Sequence, residues 1–219
     1  MSFYPVNLDI KNRACLVVGG GAVASRKART LAECGAIVTV VSPEFSQSLR
    51  ELETISAVIL ICRPYETADL DGKFLVIGAT NDAALNRRIN ADAESRHMLC
   101  NIADVPDICN FILPSIIRRG DLVIAVSTSG KSPAFAKKLR KDLEKNFGDE
   151  YARFLNLMGA IRNRLLLTAH APEAHKPLFE RLIHNNLLEL IKNGQKEEIN
   201  QLLFEVLGSG YDYDELVNP

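Results

Sequence analysis

The most constraining feature of this chain is the apolar run Ala14-Cys15-Leu16-Val17-Val18, followed at once by Gly19-Gly20-Gly21 and then by Ala22-Val23-Ala24. The apolar run predicts a buried strand, the glycines a sharp turn, and the stretch from Ala22 to about Cys34 a helix. Taken as Gly19-x-Gly21-x-x-Ala24, the order matches a dinucleotide fingerprint. Its glycines let the backbone turn and approach a pyrophosphate, and its small third residue lets the helix pack on the strand. The helix N-terminus would offer unpaired N–H groups to the phosphates. A plain tight turn between two core elements accounts for the triplet equally well, so the surrounding chain has to decide.

The first half continues in the same manner. Short β-branched runs at Ile37 to Val41, Val58 to Ile61, Phe74 to Ile77 and Met98 to Asn101 alternate with helical stretches, as a parallel sheet with crossover helices requires. Between the last two runs, Ala84, Leu85, Ile89 and Ala93 recur at helical spacing while Arg87, Arg88, Asp92 and Glu94 take the other face. A sixth strand, Leu122 to Val126, runs into Ser127-Thr128-Ser129-Gly130-Lys131, and Ser132-Pro133 reads as a cap opening a helix to about Phe147. From Asp149 the chain reads as helices over Tyr151 to Ala169, Glu173 to Lys192 and Gln195 to Leu207, with breaks at Pro172 and Gly194 and a frayed tail after Gly208. The expectation is an α/β protein in three parts. A Rossmann-type parallel-sheet domain (1–113) is followed by a small α/β dimerisation and substrate-cleft segment (114–147) and a helical domain (148–219).

Composition narrows the function classes. With 26 Lys and Arg against 27 Asp and Glu, the net charge of -1 gives no global case for nucleic acid or an acidic membrane, so any anion site must be local. The N-terminus has neither a basic start nor an apolar core, and no apolar run approaches the ~18 residues of a membrane span. A cytoplasmic protein is expected. The five cysteines, Cys15, Cys34 and Cys62 among them, sit mostly in apolar surroundings and lack the short intervals of zinc sites, so they read as small buried hydrophobes.

The second strand of a dinucleotide fold ends near an acid that binds the adenosine ribose. Here it ends Val41-Ser42-Pro43-Glu44, with no arginine immediately beside Glu44 to receive a 2′-phosphate, which favours NAD over NADP. Gly78-Ala79-Thr80-Asn81-Asp82 follows the fourth strand on the rim where ligands bind, and either Asn81 or Asp82 also suits a helix cap. Asp104, after the fifth strand, falls on the same rim and on its own reads more readily as a turn residue than as a catalytic one.

The glycine turn with Ser25-Arg26-Lys27-Ala28, Gly78 to Asp82, Asn101-Ile102-Ala103-Asp104, Phe111 to Ile117 and Ser127 to Pro133, in that order, resembles the sirohaem synthase family. The likeness is to its precorrin-2 dehydrogenase/sirohydrochlorin ferrochelatase module, in the stand-alone form without a fused methyltransferase. The resemblance implies that Gly19, Gly21, Ala22, Val23, Ala24, Pro43 and Glu44 bind NAD with Thr80 and Asn81 nearby, and that Asp104 is the catalytic aspartate and the place where metal arrives. It also implies that Ser127, Thr128, Ser129, Gly130 and Lys131, with Asn101, Ser115 and Arg118, line a tetrapyrrole cleft in a homodimer. Thr128 stands where some relatives have a phosphorylated serine.

Oxidation of precorrin-2 to sirohydrochlorin removes a hydride, which NAD+ accepts, and a proton, which needs a nearby base. The substrate is a polycarboxylate, for which Arg118, Arg119 and Lys131 are candidate partners, whereas Lys137, Lys138, Arg140 and Lys141 read as a solvated helix face. Insertion of Fe2+ or Co2+ in the same cleft is the second expected step. His97, His170, His175 and His184 have no ligand-like interval, so none is assigned to metal. The segment Pro114 to Phe147, read as one strand and one helix, is too small to close a core and should borrow its partner's. Two rival readings stay open: an NAD(H)-sensing regulatory domain that performs no reaction, and a dehydrogenase of another small molecule. A dehydrogenase without chelatase activity is a variant of the main one.

Overall fold

The apolar runs of the first half are all strands. In the computed structural model, which describes residues 3–103, 105–167 and 172–217, the chain divides into two units, Met1–Leu113 and Pro114–Pro219. The first contains β1 (Ala14–Val18), α1 (Ala22–Glu33), β2 (Ile37–Ser42), α2 (Gln47–Ile55), β3 (Val58–Cys62), β4 (Leu75–Gly78), α3 (Ala83–Glu94) and β5 (Leu99–Ile102). Every strand pair is parallel, in the order β3-β2-β1-β4-β5.

Successive β1 side chains enter two different cores, since side chains alternate across a strand. Cys15 and Val17 pack with Ala24, Ala28 and Leu31 of α1 and with Leu49 and Leu52 of α2. Leu16 and Val18 pack with Ile89 and Ala93 of α3 and with Tyr65 and Leu70 of the crossover after β3. Both faces are covered, which is why β1 is apolar throughout instead of alternating. Burial pushes the Cys15 thiol up to about 11, partly offset by Lys73, and the Cys100 thiol up to about 12, with Cys109 adding to it. Cys62 departs from the sequence expectation: it is exposed at the end of β3, its Sγ donating to the Pro43 carbonyl at 3.2 Å.

The outer edge of β5 is closed by a side chain. Asn110 accepts from the Cys100 N–H and donates to the Met98 carbonyl, both at 2.8 Å, so its amide stands in for a neighbouring strand.

The second unit begins with an antiparallel hairpin, β6 (Ser115–Arg119) and β7 (Leu122–Val126), turning at Gly120. Two strands replace the one expected, because a five-residue run holding two arginines carries little apolar signal. Then come α4 (Pro133–Glu144), α5 (Glu150–Leu167), α6 (Pro172–His184), α7 (Leu187–Asn193), α8 (Lys196–Leu207) and α9 (Tyr213–Val217). Leu157, Ile161 and Leu165 of α5 pack with Leu182, Leu187, Ile191 and Leu203 into one apolar cluster.

Three helix boundaries differ from expectation. Pro172 opens α6, where a proline is tolerated, and does not merely separate two helices. The single helix expected over Glu173 to Lys192 is broken by Asn186, which takes a left-handed conformation. The tail is not frayed: Tyr213 and Leu216 of α9 are buried, and the Tyr213 N–H donates to Asn200 Oδ1 at 2.8 Å. Among the described residues, no helix is long and apolar enough to cross a membrane.

Candidate functional site

Strand order places the site. β1, β2 and β3 wind one way and β4 returns beside β1, so a crevice opens at the carboxyl ends of β1 and β4, where ligands bind in open α/β sheets. A cleft of about 480 Å³ lies there. Its floor is Val18 and the glycine turn with Ala22 and Val23. Val41, Ser42 and Pro43 form one side and Ala79 to Asp82 the other, while Pro64, Tyr65, Leu85 and Arg88 complete the wall.

The three glycines have different reasons to be glycine. A Cβ on Gly19 would stand 2.3 Å from the Ala79 carbonyl oxygen, and Gly19 has a φ of +128°, which L side chains rarely adopt. A Cβ on Gly20 would stand 1.7 Å from the Glu44 carbonyl oxygen. At Gly21 a Cβ would meet nothing within 4 Å. Gly19 and Gly20 are therefore required by the protein's own backbone, and Gly21 leaves room for something else. The turn is tied to the neighbouring loops by Gly19 N–H to the Val41 carbonyl (2.9 Å), Ser46 N–H to the Gly20 carbonyl and Ala79 N–H to the Val18 carbonyl (both 2.8 Å).

Gly21 is the N-cap of α1 and supplies no side chain, and the first turn holds no acidic residue. The N-terminal N–H groups of α1, with the positive end of its dipole, are thus available to an anion lying over the glycine turn. A dinucleotide diphosphate fits this donor set.

The opposite wall is fixed by a side chain that the sequence reading passed over. Buried Asn86 accepts from the Thr80 hydroxyl at 2.8 Å and donates to the Thr80 carbonyl at 3.0 Å, holding the Gly78-to-Asp82 loop at both ends of one residue. Asp82 is occupied as the N-cap of α3, accepting from the Ala84 and Leu85 N–H groups. Asn81 is left to face the cleft without that duty.

Of the residues singled out from sequence, Gly19, Gly21, Ala22, Val23, Pro43, Thr80 and Asn81 come together in this cleft. Ala24 does not line it; the residue is fully buried, and its small size seats α1 on the sheet. Glu44 contributes its carbonyl against Gly20, and the cleft wall at the end of β2 is Val41 to Pro43. Asn101 is buried and donates to the Phe111 carbonyl at 3.0 Å. Asp104 and His170 lie outside the described residues.

The other candidates belong to the second unit. Ser115 and Arg118 are on β6, paired with Val126 and Val123 of β7. Ser127 to Lys131 form a tight turn in which the Thr128 hydroxyl accepts from the Ser132 N–H (3.1 Å) and Ser127 Oγ from the Ser129 N–H (3.2 Å), with Ser129 and Gly130 at positive φ. Among the described residues, no group of three or more His, Cys, Asp or Glu is arranged to hold a metal ion.

Sequence reasoning missed Gly20, Tyr65, Asn86 and Arg88. Helical spacing puts Arg88 on the polar face of α3, and that residue reaches the cleft. Only the glycine triplet itself carried a signal for any of the four.

The comparisons agree with this geometry. A family model described as NAD(P)-binding matches residues 6–115, and one described as sirohaem biosynthesis protein central matches residues 119–146. The sirohaem synthase of Thioalkalivibrio sulfidiphilus is 38% identical over 212 residues, 97% of this chain and 43% of that protein. That of Photobacterium profundum is 36% identical over 209 residues, 95% of this chain and 45% of that protein. This chain thus spans less than half the length of those relatives. The solved structure of SirC, a precorrin-2 dehydrogenase, superposes with a TM-score of 0.76 at 29% identity, covering 91% of this chain and 98% of that one. The chain belongs to the NAD(P)-binding family whose model covers its first half, joined here to the central segment of sirohaem biosynthesis proteins.

Proposed function

We propose that this protein is an NAD-dependent precorrin-2 dehydrogenase, forming sirohydrochlorin in tetrapyrrole biosynthesis in the cytoplasm. The observation that carries the reading is the contrast between Gly20, closed by the Glu44 carbonyl, and Gly21, open beside the uncapped start of α1. Such a pocket suits a diphosphate that must approach the backbone closely. Similarity to SirC through both units supports the substrate.

When bound, NAD+ supplies the hydride acceptor. Gly19, Gly21, Ala22 and Val23 would hold its diphosphate, Pro43 and Glu44 its adenosine side, and Thr80 and Asn81 would form the opposite wall. Asp104 takes the proton lost from the macrocycle. Ser115, Arg118 and Ser127 to Lys131 of the second unit receive the polycarboxylate substrate, the cations orienting its carboxylates. The same aspartate supports slow insertion of Fe2+ or Co2+ into the product.

The protein works as a homodimer. The outer face of the β6–β7 hairpin carries Ile116 and Val123, each 42% exposed, beside Arg118, and a two-stranded sheet that leaves apolar side chains uncovered is marginal in water. Sedimentation at micromolar concentration should give a dimer; a fully active monomer would overturn this part.

The test of the activity is anaerobic incubation with precorrin-2 and NAD+, following NADH absorbance together with the tetrapyrrole spectrum. Stoichiometric NADH and sirohydrochlorin are expected. NAD+ binding without turnover would instead support a sensing domain.

A further inference from the structure

One corner of the cleft is built with more care than its sequence suggests. Tyr65, 4% exposed, stands three residues beyond the end of β3 and donates its hydroxyl to Asp92 Oδ2 at 3.0 Å. The Thr67 hydroxyl donates to the same oxygen at 2.9 Å. Arg88 lies across this pair: its guanidinium carbon is 5.5 Å from the centre of the Tyr65 ring, it donates to Thr67 Oγ1 at 3.1 Å, and its Nε is 3.8 Å from Asp92. Burial, and then the hydrogen bond to Asp92, raise the Tyr65 pKa well above its usual value, so the phenol stays a neutral donor.

Three side chains thus hold one half-exposed guanidinium at the cleft wall. Immobilising an arginine costs rotamer entropy that a solvated ion pair seldom repays, so the restraint needs another beneficiary. The winding of the sheet says which end of the cleft this is. The end of β2 meets the adenosine ribose in this topology, β3 pairs with β2, and Tyr65 follows β3.

We propose that Arg88 recognises the adenosine half of the dinucleotide, its guanidinium seated over Tyr65 on one side and offering its other face to the adenine ring. A guanidinium is planar and stacks on aromatic faces, which a lysine ammonium does not. The inference rests on the cleft being a dinucleotide site.

The test uses the full chain and measures binding, not turnover. NAD+ and AMP are titrated by calorimetry, and etheno-adenine NAD+ by fluorescence, into wild type, Arg88→Met and Arg88→Lys. Arg88→Met should fold, because Asp92 keeps both hydroxyl donors; the melting temperature of the free protein checks this. Its affinity for NAD+ and AMP should fall roughly 5- to 30-fold, the range of a partly desolvated cation–π contact, and the etheno-adenine fluorescence change should be lost. Arg88→Lys should restore little of either. Unchanged affinities in folded Arg88→Met overturn the proposal, and full recovery in Arg88→Lys overturns the stack by showing that charge alone suffices. A wild type that binds no NAD+ overturns the dinucleotide reading itself, a different result from either.

Discussion

Gly20 lies against the carbonyl of Glu44 so closely that a Cβ would stand 1.7 Å from its oxygen, whereas the adjacent Gly21 has open space where its Cβ would be. Substitutions at the two glycines should therefore fail differently. Gly20→Ala must push aside the Glu44 carbonyl, in a segment whose Ser46 N–H donates to the Gly20 carbonyl, and overpacking of this kind costs about 1–3 kcal/mol. A lowered melting temperature in the absence of cofactor checks it.

Gly21 has a φ of -87°, which any residue adopts. Gly21→Asp should therefore keep the melting temperature and lose NAD+ affinity by roughly tenfold or more, because a carboxylate would stand in the space proposed for the diphosphate. Calorimetry showing wild-type affinity in the folded variant would reduce the turn to a structural feature.

Asn86→Leu should disturb both stability and binding. The side chain is buried and makes both hydrogen bonds that fix Thr80, so the change leaves the Thr80 carbonyl without its donor, at a cost of about 1–3 kcal/mol. Since Thr80 and Asn81 form a cleft wall, NAD+ affinity should fall as well. Denaturant unfolding and calorimetry on the same variant separate the two effects; wild-type NAD+ affinity would show that the loop holds its place without Asn86.

The sheet and the glycine turn were legible because both follow from local pattern. The run from Ala14 to Val18 is apolar throughout, as only a strand covered on both faces needs to be, and the glycines break it at once. Arg88 and Asn86 were not legible. On a helical projection Arg88 belongs with Arg87 and Asp92 on the polar face; only the crossover after β3, which brings Tyr65 beneath it, turns that face into a cleft wall. Asn86 precedes Ile89 on the buried side of α3, where nothing local indicates a partner in the preceding loop. Gly20 was treated as the variable position of the fingerprint, because the Glu44 carbonyl that excludes a side chain there comes from a segment 24 residues away in sequence. The hairpin strand Ser115–Arg119 and the buried tail helix were missed for a related reason: a strand with two arginines and a five-residue helix have too few apolar residues for periodicity to register.

Alkaline stability should report on the buried thiols. Cys15 is raised to about 11 by burial, against an ordinary value of 9.0. Between these values the unfolded chain has released the thiol proton and the folded chain retains it. The unfolded state then binds fewer protons, and stability falls as pH rises, by at most about 1.4 kcal/mol per pH unit for each such thiol. Below pH 9 this contribution is flat. Unfolding free energies from pH 8 to pH 11 should show a shallower decline in Cys15→Ala than in wild type; parallel curves would mean that the thiol does not set the slope.

Asp104 should separate the two chemical steps from cofactor binding. It lies two residues beyond β5 in sequence and is not part of the glycine turn to which the dinucleotide diphosphate is assigned, so Asp104→Ala should leave NAD+ affinity unchanged. Loss of a general base costs about 10²–10⁴ in rate, and dehydrogenation of precorrin-2 should fall by that factor. Metal insertion also needs a group that accepts pyrrole protons, and Asp104 is the residue proposed for that role. Insertion of Fe2+ or Co2+ into sirohydrochlorin should therefore be slow, independent of NAD+ and reduced in the same variant. The assay compares wild type, Asp104→Ala and the metal-only control. A wild-type rate equal to the control would make the protein a dehydrogenase alone, and fast insertion that survives Asp104→Ala would move the chelating group to another residue.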